Sequence, residues 1–301
     1  MDLQLSYLPS SGHVVKGKGY TRYPSGSGIN TAVALSRLGI DSVIATRVGN
    51  DNNGLKILQY LTAHNVDVRH AGKDISAHTG MNVVMTEADK KTRKVVFDGA
   101  TTNFSVGDVE SAFNSYPDAV IVNTDVSPEA VAAALIIAKK QGIPIMLCML
   151  GEFSDTLSMD IPRQVDLLVI DEGNVEKYTG ISCATVEKCL RASIALATKI
   201  SAKHYIIKLA DRGSFLYDGK YYNVVPAYDV DIVTTNAVAE CFNAALFYKY
   251  MRDGDAKQGC ELATIAEVIK TLRPHSADNC PTFNDLREFI AENELDGDLL
   301  N

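Results

Sequence analysis

Apolar positions recur in two rhythms along this chain, and the two rhythms alternate. Ile29, Val33, Leu35 and Leu38 fall at helical spacing over residues 28–38, and the pattern stops at Gly39, a residue suited to a helix C-terminus. Asp41–Val48 predicts a short strand, and Asn53–His64 returns to helical spacing. Met81–Met85 and Lys94–Phe97 predict two strands around a charged turn, Glu87–Arg93. Beyond residue 105 the alternation becomes regular. Strands are expected at Ala119–Asn123, Ile143–Leu150, Val165–Ile170 and His204–Leu209, with helices at Pro128–Gln141 and Ala184–Lys199. Pro128 suits a first helical turn and Gly142 the position after a last one. Phe215–Tyr217 and Tyr221–Val225 flank Asp218-Gly219, a strong hairpin signal. Helices over about 238–252, 256–272 and 282–292 complete the pattern.

Strands alternating with helices predict an α/β fold: a mostly parallel sheet with right-handed crossovers and helices on both faces. The extended segments at about 13–23 and 79–98 stand outside that alternation and predict a small β-sheet lid set apart from the main sheet. The whole of residues 1–301 reads as one such domain with its lid. In open parallel sheets ligands bind beyond the carboxyl ends of the strands, so the chemistry is sought there.

Composition narrows the partners. Of 301 residues, 46% are hydrophobic and 22% charged, enough to bury a large core. A net charge of −8 argues against nucleic acid or an anionic membrane as the main partner, since both need a basic face. No apolar run approaches the roughly 20 residues of a membrane span. The opening Met-Asp-Leu-Gln-Leu-Ser has no secretory pattern, so a cytoplasmic location is expected. Six cysteines form no CxxC pair and sit mostly in apolar surroundings, which predicts buried reduced thiols. Six histidines show no metal-ligand spacing.

Two stretches carry the chemistry. Ser25-Gly26-Ser27-Gly28-Ile29-Asn30 runs into Ala34-Leu35-Ser36-Arg37-Leu38-Gly39, and Arg47-Val48-Gly49-Asn50-Asp51-Asn52-Asn53-Gly54 and Asn65-Val66-Asp67-Val68 follow. Val233-Thr-Thr-Asn-Ala-Val-Ala-Glu-Cys-Phe-Asn-Ala244 reads as a strand end, a tight turn and a first helical turn, where unpaired N–H groups and a helix dipole suit phosphate. Over nearly its whole length the chain resembles the ribokinase-like (PfkB) carbohydrate kinases, which implies their three-layer fold. The resemblance implies ATP and magnesium as cofactors, a sugar or nucleoside as substrate, and a homodimer formed through the lid. It implies substrate contacts at Asp2, Gly26, Gly28 and Asn30. Glycines let backbone N–H groups approach sugar hydroxyls, and Asn30 both donates and accepts; from its residue type alone Asn30 also reads as a helix cap. The family's strand before the acidic residue matched by Asp2 has no counterpart in the sequence.

The phosphate side departs from the family. Its Asp-Thr-Thr-Gly-Ala-Gly-Asp stands here as Thr234-Thr235-Asn236-Ala237-Val238-Ala239-Glu240. Glu240 takes the position of the catalytic base, one methylene longer. The N–H groups of Ala237, Val238 and Ala239 take the position of the anion hole. If Ala237 or Ala239 needs φ > 0, alanine is strained there. Thr234 replaces an acidic residue linked to a monovalent cation site, which puts that site in doubt. Asn-x-x-Glu, which organises magnesium through water, appears as Asp171-Glu172-Gly173-Asn174, and Asp171 and Asn174 keep an acid and an amide. Asp-Pro-Asn appears as Cys148-Met149-Leu150. The nucleotide turn reads Lys208-Leu209-Ala210-Asp211-Arg212-Gly213, with Lys208, Gly213 and Asn236 as candidate nucleotide contacts. Lys208 either faces phosphate or is a solvated strand-end charge. Two functions follow: ATP-dependent phosphate transfer to a hydroxymethyl group, weakened or lost by these changes, or a catalytically inactive kinase fold that binds a sugar or nucleotide as a sensor.

Overall fold

The computed structural model describes residues 1–88, 92–150 and 165–300. Its elements run β1 (Asp2–Gln4), β2 (Gly19–Thr21), α1 (Ser27–Arg37), β3 (Val43–Gly49), α2 (Asn52–Ala63), β4 (Asp67–Asp74), β5 (Met81–Thr86), β6 (Thr92–Phe97), α3 (Val106–Phe113), β7 (Val120–Asn123), α4 (Pro128–Gln141), β8 (Ile145–Met149) and β9 (Val165–Asp171). Then follow α5 (Glu172–Thr179), α6 (Val186–Ala197), β10 (Ala202–Lys208), β11 (Ser214–Tyr217), β12 (Tyr222–Val225), α7 (Val238–Asp253), α8 (Ala256–Thr271) and α9 (Phe283–Glu292).

The main sheet has the order β12-β11-β10-β9-β8-β7. Its β7 to β10 are parallel, and β11 and β12 join antiparallel through the Asp218-Gly219 hairpin. Side chains alternate across this sheet and divide its core in two. Met146, Cys148, Leu167, Val169 and Ile206 face a cluster shared with α1, α7 and α8. Ile145, Leu147, Met149, Leu168, Ile170 and Ile207 face a cluster shared with α3, α4 and α6. Three layers result, as the alternation predicts.

The segments outside the alternation do form a second sheet, ordered β2-β1-β5-β6. Only Gly19–Thr21 of the expected 13–23 stretch is strand, and Asp2–Gln4 supplies an inner strand between β2 and β5. The charged turn Glu87–Arg93 falls partly outside the described residues. A third pairing, β3 with β4, stands as a two-stranded parallel sheet of its own.

The expectation of six reduced thiols is corrected at one pair: Cys241 and Cys280 are disulfide-bonded, with Cα atoms 6.1 Å apart. Cys148, Cys183, Cys189 and Cys260 are buried and free. The bond joins the first turn of α7 to the segment before α9, a proximity set by tertiary packing that sequence spacing does not reveal.

Candidate active site

Two helix N-termini meet near the end of β8. One is α1, whose N-cap Gly26 has φ 154°, and the other is α7, whose N-cap Ala237 has φ 60°. Neither has a side-chain cap. Each therefore leaves first-turn N–H groups for a ligand, with the positive end of the dipole behind them.

Asn30 lies within α1 rather than at its cap, and is 2% exposed. Its Nδ2 donates to Glu240 Oε1 at 3.4 Å and to Ser25 Oγ at 3.4 Å. Ser25 Oγ donates to Asn236 Oδ1 at 3.4 Å. Ser276 Oγ donates to Pro24 O at 3.0 Å and to Asn30 Oδ1 at 3.5 Å. Asn30 from the glycine-rich turn, and Asn236 and Glu240 from the stretch that opens α7, thus share one hydrogen-bonded group.

Burial pushes the half-buried Glu240 carboxyl above the usual carboxylate range. Its own backbone N–H and the Asn30 hydrogen bond oppose that rise, the negative charge of Asp125 adds to it, and Lys94 opposes it. Lys94 lies on β6, so the small sheet brings a cation within electrostatic reach of Glu240. A carboxyl with a raised pKa is a stronger base once ionised.

Asp2 lies on β1 and accepts a hydrogen bond from the Tyr23 hydroxyl, which burial and that carboxylate hold well above its ordinary pKa. Asp125, which the motifs did not single out, follows the end of β7, and Ser27 Oγ donates to it. The available signal was its position just beyond a parallel strand. Ser25 stands in the glycine-rich turn with no role read from the sequence, and Ser276 and Lys94 come to the site only in the folded chain.

The residues at the ends of β9 and β10 are built differently. Asp171 caps α5 by accepting from Asn174 N at 2.8 Å, and Asn174 Nδ2 donates to Asp171 Oδ2 at 3.0 Å and to Met149 O at 3.1 Å. The acid and amide read from the sequence are thus one unit at the end of β9. A carboxylate and an amide oxygen are hard-oxygen acceptors to which magnesium-bound water can donate. Lys208 turns inward: its ammonium pairs with Glu267 and lies 3.5 Å from the centre of the Phe242 ring. Burial pulls that ammonium down and the Glu267 charge opposes the shift. Ala210 holds φ 51° where the related kinases have glycine. Gly213, at φ 92°, could not be replaced, because a Cβ there would lie 2.1 Å from Val225 O. Cys148 replaces a polar residue at the end of β8. Its thiol is buried, is pushed well up by desolvation and accepts from Asn243 Nδ2 at 3.4 Å.

Among the described residues no helix is long and apolar enough to cross a membrane. A deoxyribokinase of Salmonella typhi is 21% identical over 95% of this chain and 94% of its own length. The structure of an Arabidopsis thaliana ribokinase complexed with ribose and ATP superposes with a TM-score of 0.84, at 21% identity over 96% of this chain and 95% of that one. A putative ribokinase II of E. coli in complex with ATP and Mg2+ superposes with a TM-score of 0.78, at 19% identity over 97% and 96% of the two chains. The fold is therefore the ribokinase-like α/β fold. The pfkB family carbohydrate kinase pattern matches residues 1–282, and the chain belongs to that family.

Proposed function

We propose that this protein transfers the γ-phosphate of ATP to a hydroxymethyl group of a sugar or nucleoside, with Glu240 as general base. The observation that carries this reading is the 3.4 Å contact between Glu240 and Asn30. It puts the basic carboxylate against the group that would hold the substrate hydroxyls, at the N-terminus of the helix that would hold phosphate. Asp2, Gly26, Gly28, Asn30 and Asp125 hold the sugar. Glu240 removes the hydroxyl proton as the oxygen attacks the γ-phosphorus. The new O–P bond forms, the bond from phosphorus to the β,γ-bridging oxygen breaks, and ADP leaves. The N–H groups of Ala237, Val238 and Ala239 stabilise the charge on the transferring group. Asn236 and Gly213 lie on the nucleotide side. Asp171 and Asn174 would hold magnesium through water, and the ion would neutralise charge on the phosphates.

The small sheet acts as the lid, with Lys94 on its inner face. By strand alternation Val95 and Phe97 lie on the opposite face, beside Met81 and Val83. Phe97 is 53% exposed, and this apolar stripe supports docking of a second copy.

A binding-only reading has one observation in its favour. At the end of β8 the related kinases' Asp and Asn are replaced by the buried Cys148 and the partly buried Leu150. Single-turnover transfer from radiolabelled ATP to ribose, deoxyribose and nucleosides tests both readings. Labelled product supports the kinase; sugar-dependent stabilisation without product supports the sensor.

A further inference from the structure

Lys270 is 0% exposed, at the end of α8. A buried ammonium is costly unless its protons are satisfied. Lys270 Nζ donates to the carbonyl oxygens of Arg273 at 3.1 Å and His275 at 3.2 Å. His275 has φ 66°, so the backbone bends through a left-handed residue where it supplies that oxygen. Burial pulls the ammonium down to about 8, against the opposing charges of Asp278 and Glu240, with Arg273 adding to the drop. The two carbonyl acceptors and the charges of Asp278 and Glu240 favour its protonated form.

The surroundings tie this charge to the site. The next residue, Thr271, accepts through its carbonyl from Val233 N at 3.1 Å and Thr234 N at 3.2 Å, at the start of the segment leading to Ala237. The loop that receives the ammonium continues to Ser276, bonded to Pro24 and Asn30, and to Cys280, bonded to Cys241. Lys270 thus braces a loop that touches the sugar turn and the first turn of α7. Thr234, hung on its neighbour, is the residue that replaces the acid associated with a monovalent cation in related kinases. The residues present do not fit such an ion: the carboxylate is gone, and an ammonium already sits against the loop carbonyls.

We propose that the Lys270 ammonium is a resident monovalent cation, so that this chain orders its phosphate turn without a free potassium-class ion. An ammonium matches such an ion in charge and in its preference for carbonyl oxygens. The proposal does not depend on turnover, because ordering is read from stability and nucleotide binding.

The test compares melting temperature and MgATP affinity in potassium, ammonium and tetramethylammonium chloride at matched ionic strength, about 0.1 M. Wild-type protein is expected to give the same values in all three salts. Lys270→Ala and the milder Lys270→Gln should melt lower in tetramethylammonium and recover by about 4 °C or more in potassium or ammonium. Thr234→Asp combined with Lys270→Ala should show the largest recovery. A wild type that is itself stabilised by potassium overturns the proposal, and so do folded Lys270 variants blind to the cation, which would make Lys270 only a helix-end brace.

Discussion

The turn proposed to hold sugar and the turn proposed to hold phosphate are built alike and differ in residue type. Each opens a helix without a side-chain cap, and each offers first-turn N–H groups. At the sugar turn the strained position is glycine, Gly26. At the phosphate turn the backbone keeps a left-handed conformation, φ 60°, but the residue is Ala237. Ala210 in the nucleotide turn repeats the pattern with φ 51°. The backbone path is imposed by the packing of α7 against α8 and the sheet, not by glycine itself. Alanine is tolerated where a Cβ costs about 1–2 kcal/mol of strain. It is not tolerated at Gly213, where a Cβ would strike a carbonyl oxygen at 2.1 Å. The stretch that opens α7 therefore keeps a left-handed backbone at a position where the residue is alanine.

The largest expected effect breaks the comparison at its chemical end. Glu240→Gln should lower single-turnover transfer by about 10²-fold or more while leaving sugar binding by calorimetry nearly intact. An equal loss of binding would make Glu240 a substrate ligand only. On the sugar side, Asn30→Ala should weaken sugar affinity about tenfold, the loss of one or two hydrogen bonds, with an unchanged far-ultraviolet spectrum. If Glu240 suffers mainly from its extra length, Glu240→Asp with Ala237→Gly should raise turnover, by up to about a hundredfold for a base brought back by about 1 Å.

The pH dependence has a definite sign. The base works ionised, and burial raises the Glu240 pKa. The transfer rate should therefore climb with pH through a midpoint above the ordinary carboxylate range, and Glu240→Gln should abolish that limb. The smallest effect sharpens the backbone argument. Ala237→Gly should stabilise by about 1 kcal/mol, because it relieves the left-handed alanine. Ala239→Gly, inside the helix, should destabilise by about 0.5–1 kcal/mol. Thermal melts of the two variants moving in the same direction would contradict this.

Much of this architecture is legible in the sequence where local signals agree. Helix α4 was bounded at both ends by Pro128 and Gly142, and the left-handed Gly142 indeed ends it. The α/β alternation, the small sheet and the 215–225 hairpin follow from periodicity and turn residues. Helix α3 is not legible from periodicity, because it has only eight residues, although Ser105 and Asp108 form a capping box. Strand β4 is not legible either, because Asp67–Asp74 is charged at half its positions and gains its conformation from pairing with β3. The site was legible as motifs but not as contacts. Asn30, Asn236 and Glu240 could be named, whereas Asp125, Lys94 and Ser276 reach the site only through the fold. The inward turn of Lys208 depends on Glu267, 59 residues away, and no local pattern encodes that pairing.

The most direct measurement is single-turnover phosphate transfer by the wild-type protein, run with MgATP and a panel of pentoses and nucleosides. The expected result is a phosphorylated hydroxymethyl product whose formation disappears in Glu240→Gln. Saturable binding of a sugar and of MgATP, with no product from any acceptor, would contradict the assignment of Glu240 as a working base.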